Sequence, residues 1–174
     1  MSLKELFGGA ITALAPTNLI DASEIRQVPD TQEVLLYPDS DVSIIVEVLE
    51  RVQPSDYREA AKFHFGSLAH DNSAADSTVL SVDIVPNDRG DGTPDAIILD
   101  GSQHVQKFNR TTLDTVHILM AVYRLVQKNV DLVVTFNIPV GAEDGSGLET
   151  LQRTRTQFEQ FSRSLRIVDF SLFA

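Results

Sequence analysis

Cysteine does not occur in this chain, and its absence excludes a disulfide framework, thiolate zinc sites and thiol catalysis. A reducing compartment fits. Positive charge is scarce: 14 Lys and Arg stand against 25 Asp and Glu, for a net charge of −11. A surface this acidic repels phosphate backbones and anionic lipid and speeds encounter with basic partners, so neither nucleic acid nor membrane is expected as a ligand. No run rich in Lys or Arg occurs, so presence in the nucleus would need a carrier or free diffusion. No apolar run reaches the roughly 20 residues that span a bilayer. Met1 to Gly9 carries no basic region followed by a long apolar run, and a soluble, intracellular protein is expected. G-x-S-x-G, a phosphate-cradling glycine loop and a metalloprotease helix are also missing, and no internal repeat is visible.

What is present has globular proportions, with 43% hydrophobic and 22% charged residues. The 174 residues fit a single domain, 1–174, able to bury a core without staples. The stretch from Asn18 to Leu36, N-L-I-D-A-S-E-I-R-Q-V-P-D-T-Q-E-V-L-L, has little core-forming periodicity. Asp21, Glu24, Asp30 and Glu33 fall there at turn-like or strand-entry positions, with Arg26 the one basic residue among them. Such a segment displays carboxylates on a non-helical backbone, as a partner-binding surface would. Asp21 and Asp30 could equally close turns, because Asp bonds its own neighbouring backbone.

Gly8-Gly9 between short apolar runs predicts a hairpin over Leu6 to Leu14, stopped by Pro16. A helical turn and loop follow over Asp21 to Asp30, then a strand from Glu33 to Tyr37. Ser43 to Val52 is rich in branched residues and reads as a strand covered on both faces. Asp56, with Glu59 three residues on, opens a helix whose stripe is Tyr57, Ala60, Ala61, His64, Phe65 and Leu68. Thr78 to Val85 reads as a strand and Asn87 to Asp95 as a loop. Ala96 to Leu99 and His104 to Phe108 read as two strands around Asp100-Gly101, a favoured hairpin pair. Thr115 to Val126 is apolar enough for a buried helix or strand. The Lys128-Asn129 turn and the branched run Val130 to Ile138 favour a strand pair. Gly141 to Gly147 is a loop, and Leu148 to Leu165 an amphipathic helix with Leu151, Thr154, Phe158, Ser162 and Leu165 on its stripe. Ile167 to Phe170 adds a short strand. The fold class expected is α+β, a three-layer α/β/α sandwich with a central, mainly antiparallel sheet.

Asn87-Asp88-Arg89-Gly90-Asp91-Gly92 has the carboxylate and glycine density of a calcium loop. Arg89 stands where a ligand is required, however, and the twelfth position is Ile98, so no metal is expected. His64, His70, His104 and His117 form no pair with ligand spacing and read as satisfied core or boundary residues. Arg153, Arg155, Arg163 and Arg166 gather on and after the last helix, read as a solvated face. Glu47 inside I-I-V-E-V-L would be costly to bury unpaired, and an edge position or an ion pair with Arg51 or Arg26 would relieve it. Glu47 and Glu50, three apart, share a surface only if the strand ends, bulges or twists near Leu49.

L-F-G-G-A-I at Leu6 to Ile11, I-D-A-S-E-I-R-Q-V-P-D-T-Q-E-V at Ile20 to Val34 and S-I-I-V-E-V-L-E at Ser43 to Glu50 resemble the Mog family of Ran-binding nuclear import factors, also called Ran guanine nucleotide release factors. V-D-L-V-V-T-F-N-I-P at Val130 to Pro139 and V-D-F-S-L-F-A at Val168 to Ala174 are further anchors. The resemblance implies the same α/β/α architecture and a protein that is not an enzyme and needs no cofactor. It implies binding of the small GTPase Ran through Asp21, Asp30, Glu33, Glu47 and Glu50, promotion of nucleotide release, and support of nuclear protein import. Some relatives carry Asp where this chain has Glu47, which keeps the charge and lengthens its reach by one methylene. A monomer acting in nucleus and cytoplasm is expected. Two alternatives stay open: a carboxylate-based enzyme of unknown substrate with its site in a cleft of the sandwich, and an adaptor without effect on nucleotide.

Overall fold

The computed structural model describes residues 1–106, 113–140 and 146–174. Among them, β3 (Ile20–Asp21), β4 (Gln32–Leu36), β5 (Ser43–Glu50), β6 (Asp76–Val85), β7 (Ala96–Gln106), β8 (Leu113–Leu125) and β9 (Val130–Pro139) form one sheet. Its order is β3-β4-β5-β9-β8-β7-β6, and every adjacent pair is antiparallel. A second sheet joins β1 (Ser2–Leu6), β2 (Ile11–Ala15) and β10 (Arg166–Ile167), with β2 in the middle. The β1–β2 connection turns at Gly8, whose φ of 67° suits glycine, as Gly8-Gly9 predicts.

Residue alternation along the central strands builds two cores on opposite faces of the large sheet. Leu119, Ala121, Tyr123, Leu132, Val134 and Phe136 pack with Phe158 and Phe161 of α2 (Ser146–Ser164). Their neighbours Ile118, Met120, Val122 and Val133 pack with Ala61 and Phe65 of α1 (Tyr57–Asp71). Helix on each face of one antiparallel sheet is the expected three-layer arrangement, with the β1-β2-β10 sheet on the α2 side. β8 and β9 lie in the middle and are apolar on both faces, which explains why their periodicity did not separate strand from helix. Among the described residues no helix is long and apolar enough to cross a membrane.

The ends of the elements follow local chemistry. Asp56 caps α1, its Oδ1 accepting from Glu59 N at 2.9 Å. Asn129 adopts the left-handed conformation, φ 56°, that returns β8 into β9. In the loop after β6, Arg89 donates from Nε to Asp91 Oδ2 at 2.9 Å and from Nη2 to Leu165 O at 2.6 Å, with Nη1 on Arg163 O. A side chain from a distant loop thus satisfies carbonyls at the end of α2. Burial raises the Asp91 pKa, but hydrogen bonds from Arg89, Asn87 and Thr93 outweigh it and hold the carboxyl well below the usual range.

One expectation fails at β7. Asp100-Gly101 is not a turn: Ala96–Gln106 is a single continuous strand paired with β6 and β8. A Cβ at Gly101 would stand 2.7 Å from Thr78 O and 2.8 Å from Phe65 Cζ, so this glycine lets α1 and the irregular β6 approach closely. At the C-terminus the extra strand is only Arg166–Ile167, and Phe170–Phe173 is a 3-10 turn. Residues 107–108 of the expected second strand and 141–145 of the expected loop lie outside the described residues.

Candidate partner-binding surface

β5 is the strand to which the proposed carboxylates refer. Its register with β9 runs unbroken from Ser43 opposite Asn137 to Glu50 opposite Val130. With no bulge, Glu47 and Glu50 leave from opposite faces of the sheet, and Glu50 is the last residue of β5. Glu47 shares its side with Gln32 of β4 and Val133 of β9, on the face that α1 covers further along over β6, β7 and β8. It is half-buried, and its Oε2 accepts from Gln32 Nε2 at 3.2 Å. The neighbour that relieves it is therefore an amide, neither Arg26 nor Arg51; Arg51 Nε instead donates to Asn129 Oδ1 at 3.4 Å. Glu50 is exposed. Asp30 is exposed too, and the bond from Val48 N to Thr31 O, 2.9 Å, brings it beside the end of β5.

The other two carboxylates face the α2 side. Asp21 pairs with Leu35 and Glu33 with Val46, both members of the core on that side. Glu33 Oε1 accepts from Phe7 N at 2.7 Å, which ties the β1–β2 turn to the large sheet. Asp21 Oδ1 accepts from Ser23 N at 2.9 Å and from Ser23 Oγ at 2.7 Å, and these bonds hold its pKa below the ordinary value. Asp21 thus closes a turn, as its residue type allows. The structure brings Asp30, Glu47 and Glu50 towards one end of the β4–β5 pair, Glu47 from the α1 side; by strand parity Glu50 shares the α2 side with Asp21 and Glu33.

Beneath that end lies a buried network that sequence reasoning did not name. Arg124 of β8 and Asp131 of β9 sit directly opposite each other, 4% and 0% exposed. Arg124 Nε donates to Asp131 Oδ1 at 3.0 Å, and His64 Nε2 of α1 lies 2.8 Å from Asp131 Oδ2. Burial pushes the Asp131 pKa up, but hydrogen bonds from His64, Arg124 and Val52 N win and hold it below the ordinary value. His64 is the satisfied core histidine expected. The available signal was two opposite charges in apolar strands, which the register places symmetrically about the 126–129 connection.

A similar group occupies the α2 side. His117 Nε2 and Arg155 Nη1 both bind the Asp100 carboxylate, and His104 pairs with Asp76. Arg155 is therefore a partner of β7, not part of a solvated face, while Arg153 and Arg163 are exposed. A groove of about 350 Å³ between α2 and β6–β7 is lined by Asp83, Asp100, Arg155, Glu159 and Arg163. It is where a carboxylate-based enzyme would have its site, yet Asp100 there is already held by Arg155 and His117. Among the described residues no group of three or more His, Asp or Glu is placed to hold a metal ion.

Comparison with known proteins bears on the chain as a whole. The family model described as "Ran-interacting Mog1 protein" matches residues 4–139. The chain is 34% identical to a Ran guanine nucleotide release factor of Danio rerio over 180 residues, covering 98% of each protein. It is 35% identical to nuclear import protein MOG1 of Saccharomyces cerevisiae, covering 98% of this chain and 84% of that one. The crystal structure of the Saccharomyces cerevisiae Ran-binding protein Mog1p superposes with a TM-score of 0.79 at 32% identity over the full length of both chains.

Proposed function

The chain belongs to the family of Ran-interacting Mog1 proteins, and on that footing we propose that it binds the small GTPase Ran, promotes release of its guanine nucleotide and supports nuclear protein import. The observation that carries the reading at residue level is the end of the β4–β5 pair, where Asp30, Glu47 and Glu50 present negative charge without a cationic neighbour in ion-pair reach among the described residues. Asp21 and Glu33 shape the segment that leads to it, the first by closing a turn and the second by anchoring the β1–β2 turn. The protein acts as a monomer, in nucleus and cytoplasm, and by binding rather than catalysis. In support, His64, His104 and His117 each face an aspartate and serve the fold.

Release follows from differential affinity. Carboxylates at this surface compete for basic groups of Ran that hold the nucleotide phosphates, or for their magnesium. If the nucleotide-free state is bound more tightly than the loaded state, linkage requires that nucleotide be bound less tightly in the complex. The test is release of a fluorescent nucleotide from Ran with and without this protein. Acceleration that rises with protein concentration and saturates is expected; binding without acceleration would leave an adaptor, and no binding would remove Ran as partner.

A further inference from the structure

Glu50 ends β5, and the residues leading from it to α1 are held by groups of the central hairpin. Arg51 N donates to Asn129 O at 3.0 Å, and Val52 N to Asp131 Oδ2 at 3.1 Å. Arg124 spreads its fork over two carbonyls of the same segment, Nη2 on Val52 O at 2.8 Å and Nη1 on Pro54 O at 2.5 Å. The guanidinium is oriented by Nε on Asp131 Oδ1, and its carbon lies 5.9 Å from the centroid of the Tyr57 ring in the first turn of α1. Asp131 in turn is fixed by His64 from above. Leu49, one residue before Glu50, pairs directly with Asp131, so the network occupies the ladder row next to Glu50 and two rows from Glu47.

Stability alone does not account for such a group. A buried ion pair is often replaceable by apolar residues of similar volume at no loss. An apolar cluster cannot, however, hold two carbonyls and an N–H at set positions and angles, whereas the planar guanidinium fork and the two lone-pair directions of a carboxylate can. The segment they hold is the one on which Glu50 depends for its direction, since its own side chain is exposed. We propose that Arg124 and Asp131, braced by His64, are positioning residues for Glu50, fixing the strand end from which it meets its partner. This rests on the Ran-binding reading above.

The test is a double-mutant cycle read by calorimetric titration of Ran with the full chain, with circular dichroism and thermal midpoints to establish folding. Glu50→Ala weakens binding. Arg124→Met, which keeps most of the stem, and the isosteric Asp131→Asn each weaken it about tenfold, the middle of the range for residues coupled through a network. In the Glu50→Ala background Arg124→Met adds less than about a twofold loss, because its effect travels through Glu50. Arg155→Met, which breaks a comparable ion pair on the other face, leaves affinity unchanged. The proposal is overturned if Arg124→Met and Asp131→Asn bind like the parent, if their full loss persists on top of Glu50→Ala, or if Arg155→Met costs as much. Should Arg124→Met not fold, Asp131→Asn carries the same cycle with the same outcomes. Glu50→Ala binding like the parent would instead remove the proposed surface, a different failure.

Discussion

Glu47 and Glu50 are three residues apart in an unbulged strand, so the pleat sends them to opposite faces and gives them different surroundings. Glu47 is half-buried beside Gln32 and Glu50 is exposed, so in the proposed complex a partner would complete the desolvation of Glu47 and leave Glu50 at the rim. Losing a charge that is desolvated and paired at an interface costs roughly 2–5 kcal/mol, whereas a rim charge acts mainly on association rate and its salt dependence. Glu47→Lys is therefore expected to give the larger loss of Ran affinity and Glu50→Lys the larger change in salt dependence. Titration at two salt concentrations separates them. Arg163→Glu, exposed on α2 across the sheet from Glu47, leaves affinity almost unchanged; an effect there as large as at Glu47 would move the interface to α2. Both glutamates were legible in the sequence because charges inside or beside a branched apolar run are conspicuous. Arg124 and Asp131 carry the same signal, but their meaning depends on each other, and only the register of β8 on β9 places them opposite.

At the scale of elements, turn chemistry and capping were legible wherever they act locally. Gly8-Gly9, Asp56 and Asn129 each decide the path of residues next to them. Gly101 looks the same in sequence and does the reverse, staying extended because its missing side chain is needed by Phe65 of α1 and by the Thr78 carbonyl of β6. Gly101→Ala places a Cβ within 2.8 Å of a buried ring edge and 2.7 Å of a backbone oxygen, neither of which can swing aside. Overpacking of this kind costs about 1–3 kcal/mol, or roughly 2–4 °C of thermal midpoint per kcal/mol in a chain of this size. Calorimetry of Gly101→Ala is expected to show that drop with Ran binding retained. A variant as stable as the parent would mean that α1 is not packed against β7 at this point.

For the molecule as a whole, the charge that directs its encounters also sets its response to acid. Asp131 is held below the ordinary carboxylate pKa by its hydrogen bonds against the opposing effect of burial, and Asp91 likewise. Between the folded and unfolded values the unfolded chain binds more protons, so stability rises with pH through that interval. The contribution is complete above the unfolded value of about 4 and is lost as pH falls through the lower folded values. The thermal midpoint is expected to be level between about pH 5 and 7 and to fall below about pH 4. Asp131→Asn should lower it at neutral pH and shrink the acid-induced drop; an unchanged drop would mean that other carboxylates govern acid unfolding. The sequence by itself determined the fold class, the strand nature of the central hairpin, both helices and the acidic character, because branched runs with a turn between them, helical spacing and composition are properties of neighbours along a chain. Only the tertiary structure decided which carboxylates share an end of the sheet, why Gly101 is extended and what holds the segment after Glu50. Each of these depends on register and on packing across the sheet, where residues distant in sequence fix one another's directions.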